Sequence, residues 1–212
     1  MTLRSISLGL ALLMPIASNA SIFPVQNEDQ IYVLKQVVQN VYEPIKVCWG
    51  WSCTRHETVK LNEDHWQSID ATFSPRAQNS RDERKQIQKA IALMETIIGN
   101  LNGVTKHDKG FPNKQGLGQT DCVDESVNTT RYLKFLAARG LLRFHTVSGI
   151  EVRLNKPFLP ILGQHYTATI RDEKSSTRYV VDAWWFDNGK LPVIQTLSNW
   201  KKRSKVTNTY VP

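Results

Sequence analysis

The hydrophobic period of the sequence changes partway along the chain, and this change constrains the fold more than any other feature. Apolar residues recur at helical spacing in the first part and then alternate as they do in strands. The predicted helices are residues 27–42, 80–101 and 122–139. The predicted strands are residues 57–61, 66–73, 142–148, 164–170, 178–186 and 192–195. Helices followed by a run of antiparallel strands predict an α+β domain.

The second predicted helix carries the clearest apolar stripe. It opens at residues 80–83 (SRDE), which match the capping-box pattern of a helix start. Its apolar residues fall on one face, which is typical of a helix packed against a core. The members of the stripe are Ile87, Ala90, Ile91, Met94, Ile97, Ile98 and Leu101.

The third predicted helix begins at a cysteine. A polar loop at residues 110–119 leads into it, and Thr120 or Asp121 is a suitable N-cap. If Asp121 is the cap, Asp124 completes a capping box. The unpaired N–H groups and the dipole of a helix start favour an anion. The pattern therefore predicts that Cys122 loses its proton readily and acts as a nucleophile, the alternative being a buried, inert cysteine.

Residues 1–20 have the pattern of a signal peptide. Arg4 precedes a short apolar run at residues 6–16, and small residues at 17–20 suit a signal peptidase. The run is too short to span a bilayer as a mature helix, so no transmembrane segment is expected. The sequence predicts an exported protein, periplasmic or secreted, in which residues 21–212 form one domain.

The three cysteines divide into a close pair and a single residue. Cys48 and Cys53 bracket a short loop, and in an oxidising compartment this predicts a disulfide between them. A metal site is an alternative, with His56 as the nearby soft ligand. Thiol–disulfide chemistry is another, although a thioredoxin-type motif has a shorter spacing. With Cys48 and Cys53 paired, Cys122 is the unpaired cysteine.

The chain is basic, with a formal net charge of +8. Part of this charge lies in residues 201–205 (KKRSK) near the C-terminal end of the sequence. A charge run of this kind is ordinarily a solvated tail. The alternative is attraction to an anionic envelope surface or an acidic partner. Nucleic acid is not an expected partner of an exported protein.

Two of the predicted strands bring a histidine and an aspartate together. A hairpin that pairs Ile170 with Thr177 places His165 directly opposite Asp182 on a polar face. An aspartate in that position fixes the imidazole tautomer and stabilises its charged form. The opposite face is apolar and is expected to face the core.

Other aromatic and imidazole side chains near this hairpin have less specific patterns. Trp184 and Trp185 follow the aspartate closely, and either shield the His–Asp pair from water or simply pack. His145 lies in a predicted strand, where we expect a structural histidine and not a second base.

A cysteine at a helix start, followed by a histidine and an aspartate on adjacent strands, resembles the transglutaminase-like cysteine peptidases of the papain-like clan. It is most similar to the exported bacterial branch of that superfamily. The matching segments are residues 120–124 (TDCVD), 133–141 (LKFLAARGL), 165–166 (HY) and 179–182 (YVVD). The resemblance spans roughly residues 80–186. It implies a papain-like, transglutaminase-like fold in which the nucleophile helix packs on an antiparallel sheet.

The resemblance also implies roles for individual residues. Cys122 would be the nucleophile, His165 the general base and acid, and Asp182 the residue that orients the imidazole. The oxyanion hole would use the N–H of Cys122 and an upstream donor, for which Gln119 is the candidate.

Two positions depart from the family pattern. Thr120 replaces the glycine of the usual Gly-Asp-Cys. Asp121 matches an acid that binds calcium in some bacterial members, but Val123 does not match the second one. Calcium is thus a doubtful ligand at Asp121, and no other cofactor or metal is expected.

Three functional hypotheses follow. The first is a cysteine hydrolase, a peptidase or amidase acting on a protein or peptide of the cell envelope through an acyl thioester; transfer to an amine is a variant of it. The second is a catalytically inactive transglutaminase-like binding module, because a fold does not guarantee an activity. The third is a thiol–disulfide protein that uses Cys48 and Cys53.

Overall fold

The computed structural model describes residues 44–103, 120–154 and 164–202. These ranges contain four α-helices and six β-strands in antiparallel sheets, which confirms the α+β class. The strands are β1 (Ile45–Trp49), β2 (Arg55–Val59), β3 (His145–Leu154), β4 (Gln164–Asp172), β5 (Arg178–Asp182) and β6 (Val193–Thr196). The helices are α1 (Glu63–Ala71), α2 (Ser80–Asn102), α3 (Cys122–Ala138) and α4 (Leu197–Lys201). The predicted signal peptide and the predicted helix at residues 27–42 lie outside the described residues.

Helix α3 occupies the centre of the described structure. It packs against β4 of the four-stranded sheet β3-β4-β5-β6 and also against β1 of the two-stranded sheet β1-β2. The buried core joins apolar side chains from both sheets and from α1, α2 and α3. The expected packing of the cysteine-bearing helix on an antiparallel sheet is therefore present.

The start and the end of α3 follow the predicted signals. Asp121 is the N-cap, and its carboxylate accepts the N–H groups of Val123 and Asp124. The Asp124 side chain reaches back to the N–H of Asp121, which completes the capping box. At the other end Gly140 adopts a left-handed conformation with φ of 67°, which a glycine adopts without steric cost.

The predicted strand at residues 66–73 is wrong, because this segment lies mainly in helix α1. Asn62 caps the helix by accepting the N–H of His65 at 2.9 Å. Trp66 and Ile69 are buried, and their spacing of three residues suits one helix face; Phe73, just after the C-cap, is also buried. The neighbouring prediction of an extended segment at residues 57–61 is confirmed in part by β2.

Helix α2 carries the predicted stripe, but its cap lies one residue earlier than predicted. Asn79, and not Ser80, accepts the N–H of Asp82 at 2.9 Å. Most of the stripe is buried, whereas Leu101 in the last turn is 50% exposed. Gly103 then ends the helix in a left-handed conformation.

The predicted register of the β4–β5 hairpin is wrong by two residues. Ile170 pairs with Tyr179 and not with Thr177. Strand β4 runs on to Asp172, whose side chain accepts the N–H groups of Lys174 and Ser175 and so shapes the turn. Because side chains alternate with a period of two, a shift of two residues leaves every side chain on its predicted face. His165 and Asp182 therefore share a face as diagonal neighbours.

The face that carries His165 is buried, although it was expected to be merely polar. Thr167 is 1% exposed and Thr169 is fully buried. At one end of this face the ion pair between Arg178 and Glu151 covers Thr169, with a 3.2 Å contact from the guanidinium to its hydroxyl. The opposite face meets the core as predicted, through Ala168, Ile170 and Val181 among others.

Candidate active site

Cys122 lies in the first turn of α3, beside the strand that carries His165. Its Sγ is 3.9 Å from the carbonyl oxygen of Gln164, and the backbone of Tyr166 is near enough to act on the thiol and lower its pKa. Gln164 and Tyr166 are the chain neighbours of His165 on β4. The thiol thus contacts the backbone on both sides of the histidine.

The predicted His–Asp pair is present as a short contact between buried groups. His165 Nε2 lies 2.7 Å from Asp182 Oδ2, and the two residues are 2% and 1% exposed. Asp182 engages Nε2, so Nδ1 is the ring nitrogen on the other side of the imidazole. A buried carboxylate beside an imidazole compensates the positive charge that the ring acquires when it takes a proton.

Tryptophan side chains surround this pair. The indole N–H groups of Trp185 and Trp200 both donate to Asp182 Oδ2, at 2.8 and 2.9 Å. The rings of Trp184, Trp185 and Trp200 lie 5.0, 5.2 and 5.7 Å from the imidazole of His165. The tryptophans therefore pack around the ring and also hold the carboxylate. The contribution of Trp200 was not predicted, because it lies in the short helix α4 outside the segment of family resemblance.

The protonation of the Cys122 thiol is opposite to the prediction from the helix start. Burial, and after it the Asp121 carboxylate, raise the pKa of Cys122 to about 12. Hydrogen bonds from backbone N–H groups oppose this rise but do not outweigh it. A pKa this high favours the neutral thiol over the thiolate at ordinary pH.

The predicted disulfide between Cys48 and Cys53 is confirmed, and it closes a loop that lies over the start of α3. Asp124 accepts the backbone N–H groups of Trp51 and Cys53, at 3.0 and 2.6 Å. Asp121 accepts the N–H of Ser52 at 3.0 Å. The carboxylates on either side of Cys122 in the sequence therefore bind this loop next to the thiol.

The backbone of the loop is unusual, since Trp51, Ser52 and Cys53 all have positive φ angles of 53–70°. Successive left-handed residues turn their N–H groups toward one side, which makes a concave binding site for an anion. Here the side-chain carboxyl groups of Asp124 and Asp121 accept these N–H groups. No pattern in the loop sequence indicates this contact, although a second acid in the first turn of α3 is visible as a capping residue.

Strand β1 is fastened along α3 behind the loop. Asn128 bonds both backbone groups of Cys48, accepting its N–H at 2.7 Å and donating to its carbonyl at 2.9 Å. Arg131 donates to the carbonyl of Lys46 at 2.6 Å. These contacts set the position of the disulfide relative to the helix start and hence to Cys122.

The remaining predicted site residues divide between those the structure describes and those it does not. Gln119, the candidate oxyanion donor, lies outside the described residues, as do residues 203–205 of the basic run. Lys201 is paired with Glu151 at 2.8 Å. Thr120 is buried and donates its hydroxyl to Glu125.

Asp121 is poorly suited to hold calcium. Its Oδ1 accepts the N–H groups of Val123 and Asp124, and its Oδ2 accepts that of Ser52. Calcium requires several oxygen ligands at one point. Across residues 44–103, 120–154 and 164–202, no three Asp, Glu, His or Cys side chains are grouped to hold a metal ion.

His145 belongs to a separate buried network, in agreement with its predicted structural role. Its Nδ1 lies 2.8 Å from Glu83 Oε1, and its Nε2 lies 3.2 Å from the guanidinium of Arg84. Arg84 also approaches Asp172 at 3.7 Å. This network ties the start of α2 to β3 and to the end of β4.

Comparison with known proteins identified no similar protein. No family model, no curated protein and no solved structure matches the chain. In the part of the chain that the structure describes, no helix is both long and apolar enough to cross a membrane.

Proposed function

We propose that the protein is an exported cysteine hydrolase that cleaves peptide or amide bonds through an acyl thioester. One observation carries the proposal. The Cys122 thiol lies against the backbone on both sides of His165, whose imidazole is bonded to a buried Asp182. Nucleophile, base and orienting carboxylate in this order are the parts that acyl transfer requires.

The proposed reaction begins with attack of Cys122 Sγ on the carbonyl carbon of the scissile amide. His165 Nδ1 takes the thiol proton as the S–C bond forms, and Asp182 compensates the resulting imidazolium. The N–H of Cys122, at the start of α3, would donate to the oxyanion that forms on the carbonyl oxygen. The imidazolium then protonates the leaving amine, the C–N bond breaks, and an acyl thioester remains.

The second half of the cycle releases the acyl group. Water attacks the thioester carbonyl while His165 Nδ1 takes a proton from it, and the collapse of the intermediate returns the sulfur to Cys122. The imidazolium then gives its proton back to the sulfur. An amine in place of water would give acyl transfer through the same steps.

The raised pKa of Cys122 shapes this mechanism. A thiol with a pKa of about 12 does not wait as an ion pair with the histidine. Its proton must instead leave in the step in which the S–C bond forms, so removal of His165 should affect the acylation step directly.

We further propose a protein or peptide of the cell envelope as the substrate, on the strength of the predicted signal peptide and the resemblance to exported transglutaminase-like peptidases. The basic run at residues 201–205 would favour an anionic surface or acidic partner.

A second candidate is a binding module with the same architecture and no catalysis. The observation that favours it is the high pKa of Cys122, which disfavours a nucleophilic sulfur. The buried Thr120, in place of the usual glycine, adds to this alternative. In that case Cys122 and His165 would keep their places in the fold without catalysing a reaction.

A generic acyl donor distinguishes the two candidates without knowledge of the substrate. p-Nitrophenyl acetate acylates an active-site thiol, and intact-protein mass spectrometry detects the acetyl adduct. We expect rapid, single-site acylation at Cys122 in the wild type, a loss of about 100-fold in rate for His165→Ala, and no adduct for Cys122→Ala.

His65→Ala is the matched control, because the His65 side chain accepts the N–H of Asn62 at the start of α1 and has no role in the proposed reaction. It should acylate at the wild-type rate. Equal acylation rates in the wild type and His165→Ala would reject the hydrolase and favour the binding module.

A further inference from the structure

We propose that Trp185 and Trp200 are positioning residues that hold the proton of the His165 imidazole on Nε2 and so leave Nδ1 as the basic nitrogen. The inference deepens the proposed hydrolase and rests on it for its functional meaning. It adds to the site two side chains, one of them from helix α4, that bind the orienting aspartate and not the nucleophile.

The argument starts from what each nitrogen is able to do. An indole nitrogen donates a hydrogen bond and does not accept one. The indoles of Trp185 and Trp200 both end on Asp182 Oδ2, at 2.8 and 2.9 Å, so this oxygen accepts from both. The same oxygen lies 2.7 Å from His165 Nε2.

An anionic oxygen accommodates these contacts, since all of them are then charge-assisted hydrogen bonds to one acceptor. A protonated Oδ2 would have to donate to His165 while its hydroxyl oxygen accepted two indole N–H groups. The indoles thus favour the carboxylate, and His165 Nε2 must be the donor. In a neutral imidazole the other nitrogen, Nδ1, is then the acceptor.

Both indoles are contacted by Arg153, a residue of the sheet that also carries His165. Trp200 is fully buried, and its carbonyl accepts a hydrogen bond from Arg153 at 2.5 Å. The Arg153 guanidinium lies 4.5 Å from the Trp200 ring and 5.7 Å from the Trp185 ring. Arg153 is also the cross-strand partner of His165 in the β3–β4 ladder. Arg153 therefore links both indoles to the pair of strands that carries the imidazole.

A simpler role for these side chains would be to exclude water with their rings. Trp184 serves as the test of that alternative, because its ring lies 5.0 Å from the His165 imidazole, closer than either of the others. If ring packing alone mattered, replacement of Trp184 would disturb the site at least as much as replacement of Trp185.

The direct test is to measure which imidazole nitrogen carries the proton, by long-range ¹⁵N–¹H NMR of histidine-labelled protein. The His165 signals are assigned by their absence in His165→Ala. We expect an Nε2–H tautomer in the wild type and in Trp184→Phe. Trp185→Phe and Trp200→Phe, each and in combination, should add a clear Nδ1–H population.

The rate at which p-nitrophenyl acetate acylates Cys122 near neutral pH is the second measurement. It should slow about tenfold in the Trp185→Phe/Trp200→Phe protein, a part of the contribution of a general base, and change less than about twofold in Trp184→Phe. Circular dichroism checks that each variant is folded. Trp185 is only half-buried, so Trp185→Phe supplies a folded variant if Trp200→Phe fails to fold.

Two outcomes would overturn the inference. One is an Nδ1–H tautomer in the wild-type protein, which requires no variant at all. The other is a folded Trp185→Phe/Trp200→Phe or Trp185→Phe protein that keeps the wild-type Nε2–H pattern. The NMR result is independent of catalysis. A protein with the expected tautomer shifts but no acylation at Cys122 would retain the positioning role and lose the hydrolase.

Discussion

Cys53 donates its backbone N–H to the Asp124 carboxylate at 2.6 Å, although the two residues are 71 positions apart in the chain. The same carboxylate accepts the N–H of Trp51. Burial raises the pKa of Asp124 to about 8, and the neighbouring Asp121 carboxylate contributes to the rise. The disulfide loop is therefore held by a carboxyl group that changes charge close to neutral pH.

The first prediction is that stability falls as the pH rises through the titration of Asp124. Between a pKa of 3.8 for the unfolded chain and about 8 for the folded protein, the folded state keeps a proton that the unfolded state has released. The free energy of unfolding should then fall with pH in this window, by at most about 1.4 kcal/mol per pH unit. Urea unfolding at several pH values measures the slope. Asp124→Asn should flatten it, and equal slopes in both proteins would contradict the prediction.

The second prediction concerns the reactivity of Cys122. With a pKa raised to about 12 by burial and by Asp121, the thiol should react slowly with iodoacetamide near neutral pH and faster as the solution becomes strongly alkaline. Asp121→Asn should lower the pKa, because asparagine keeps a capping oxygen but removes the charge. We expect alkylation about threefold faster at pH values below the pKa, because a larger fraction of the thiol is then ionised. A rate plateau already reached near pH 6 would contradict the prediction.

The third prediction concerns the disulfide. The bond joins residues only five positions apart, so it removes little conformational freedom from the unfolded chain. Replacement of Cys48 and Cys53 by serine should lower the free energy of unfolding by about 2 kcal/mol. Urea unfolding with and without a reductant measures this change. The reductant should destabilise the wild type and leave the double variant unaffected; a wild-type protein insensitive to full reduction would refute the prediction.

The fourth prediction concerns the network around Glu83. Burial opposes ionisation of Glu83, but hydrogen bonds from His145 and from the backbone N–H groups of Arg143 and Phe144 outweigh it and lower its pKa below 4.5. The network should therefore contribute stability above about pH 4.5 and lose it as the pH falls further. Glu83→Gln should cost about 3 kcal/mol at neutral pH, because it leaves buried partners uncompensated.

The matched control for Glu83 is Glu57→Gln, since Glu57 is exposed on β2. This change should alter the free energy of unfolding by less than about 0.5 kcal/mol. Similar decreases in the free energy of unfolding of the two variants would contradict the prediction, because the buried network would then stabilise the fold no more than an exposed glutamate does.

The sequence predicted the features that depend on local signals. The N-cap, the capping box and the glycine stop of α3 follow from residues within one turn of each helix end. The pairing of His165 with Asp182 follows from the alternation of two strands, and it survives a register error because that error is an even number of residues. The prediction of a strand at residues 66–73 was wrong because the helix cap at Asn62 was not recognised. A short apolar pattern suits a helix as well as a strand.

The features that the sequence did not predict arise from contacts between distant parts of the chain. The bonds from Asp124 to Trp51 and from Asn128 to Cys48 join residues 73 and 80 positions apart. The raised pKa of Cys122 depends on burial, which only the assembled structure determines. The indole of Trp200 meets Asp182 because α4 returns to the sheet after β6.

That return of α4 has a consequence for the order in which the protein is completed. A nascent chain that has emerged only as far as β5 already contains Cys122, His165 and Asp182, but it lacks the indole of Trp200 that shares the aspartate oxygen. Such a chain would bury Asp182 without a full set of donors, which is unfavourable. The complete set of donors to Asp182 therefore requires that residue 200 has been synthesised and that α4 has packed on the sheet.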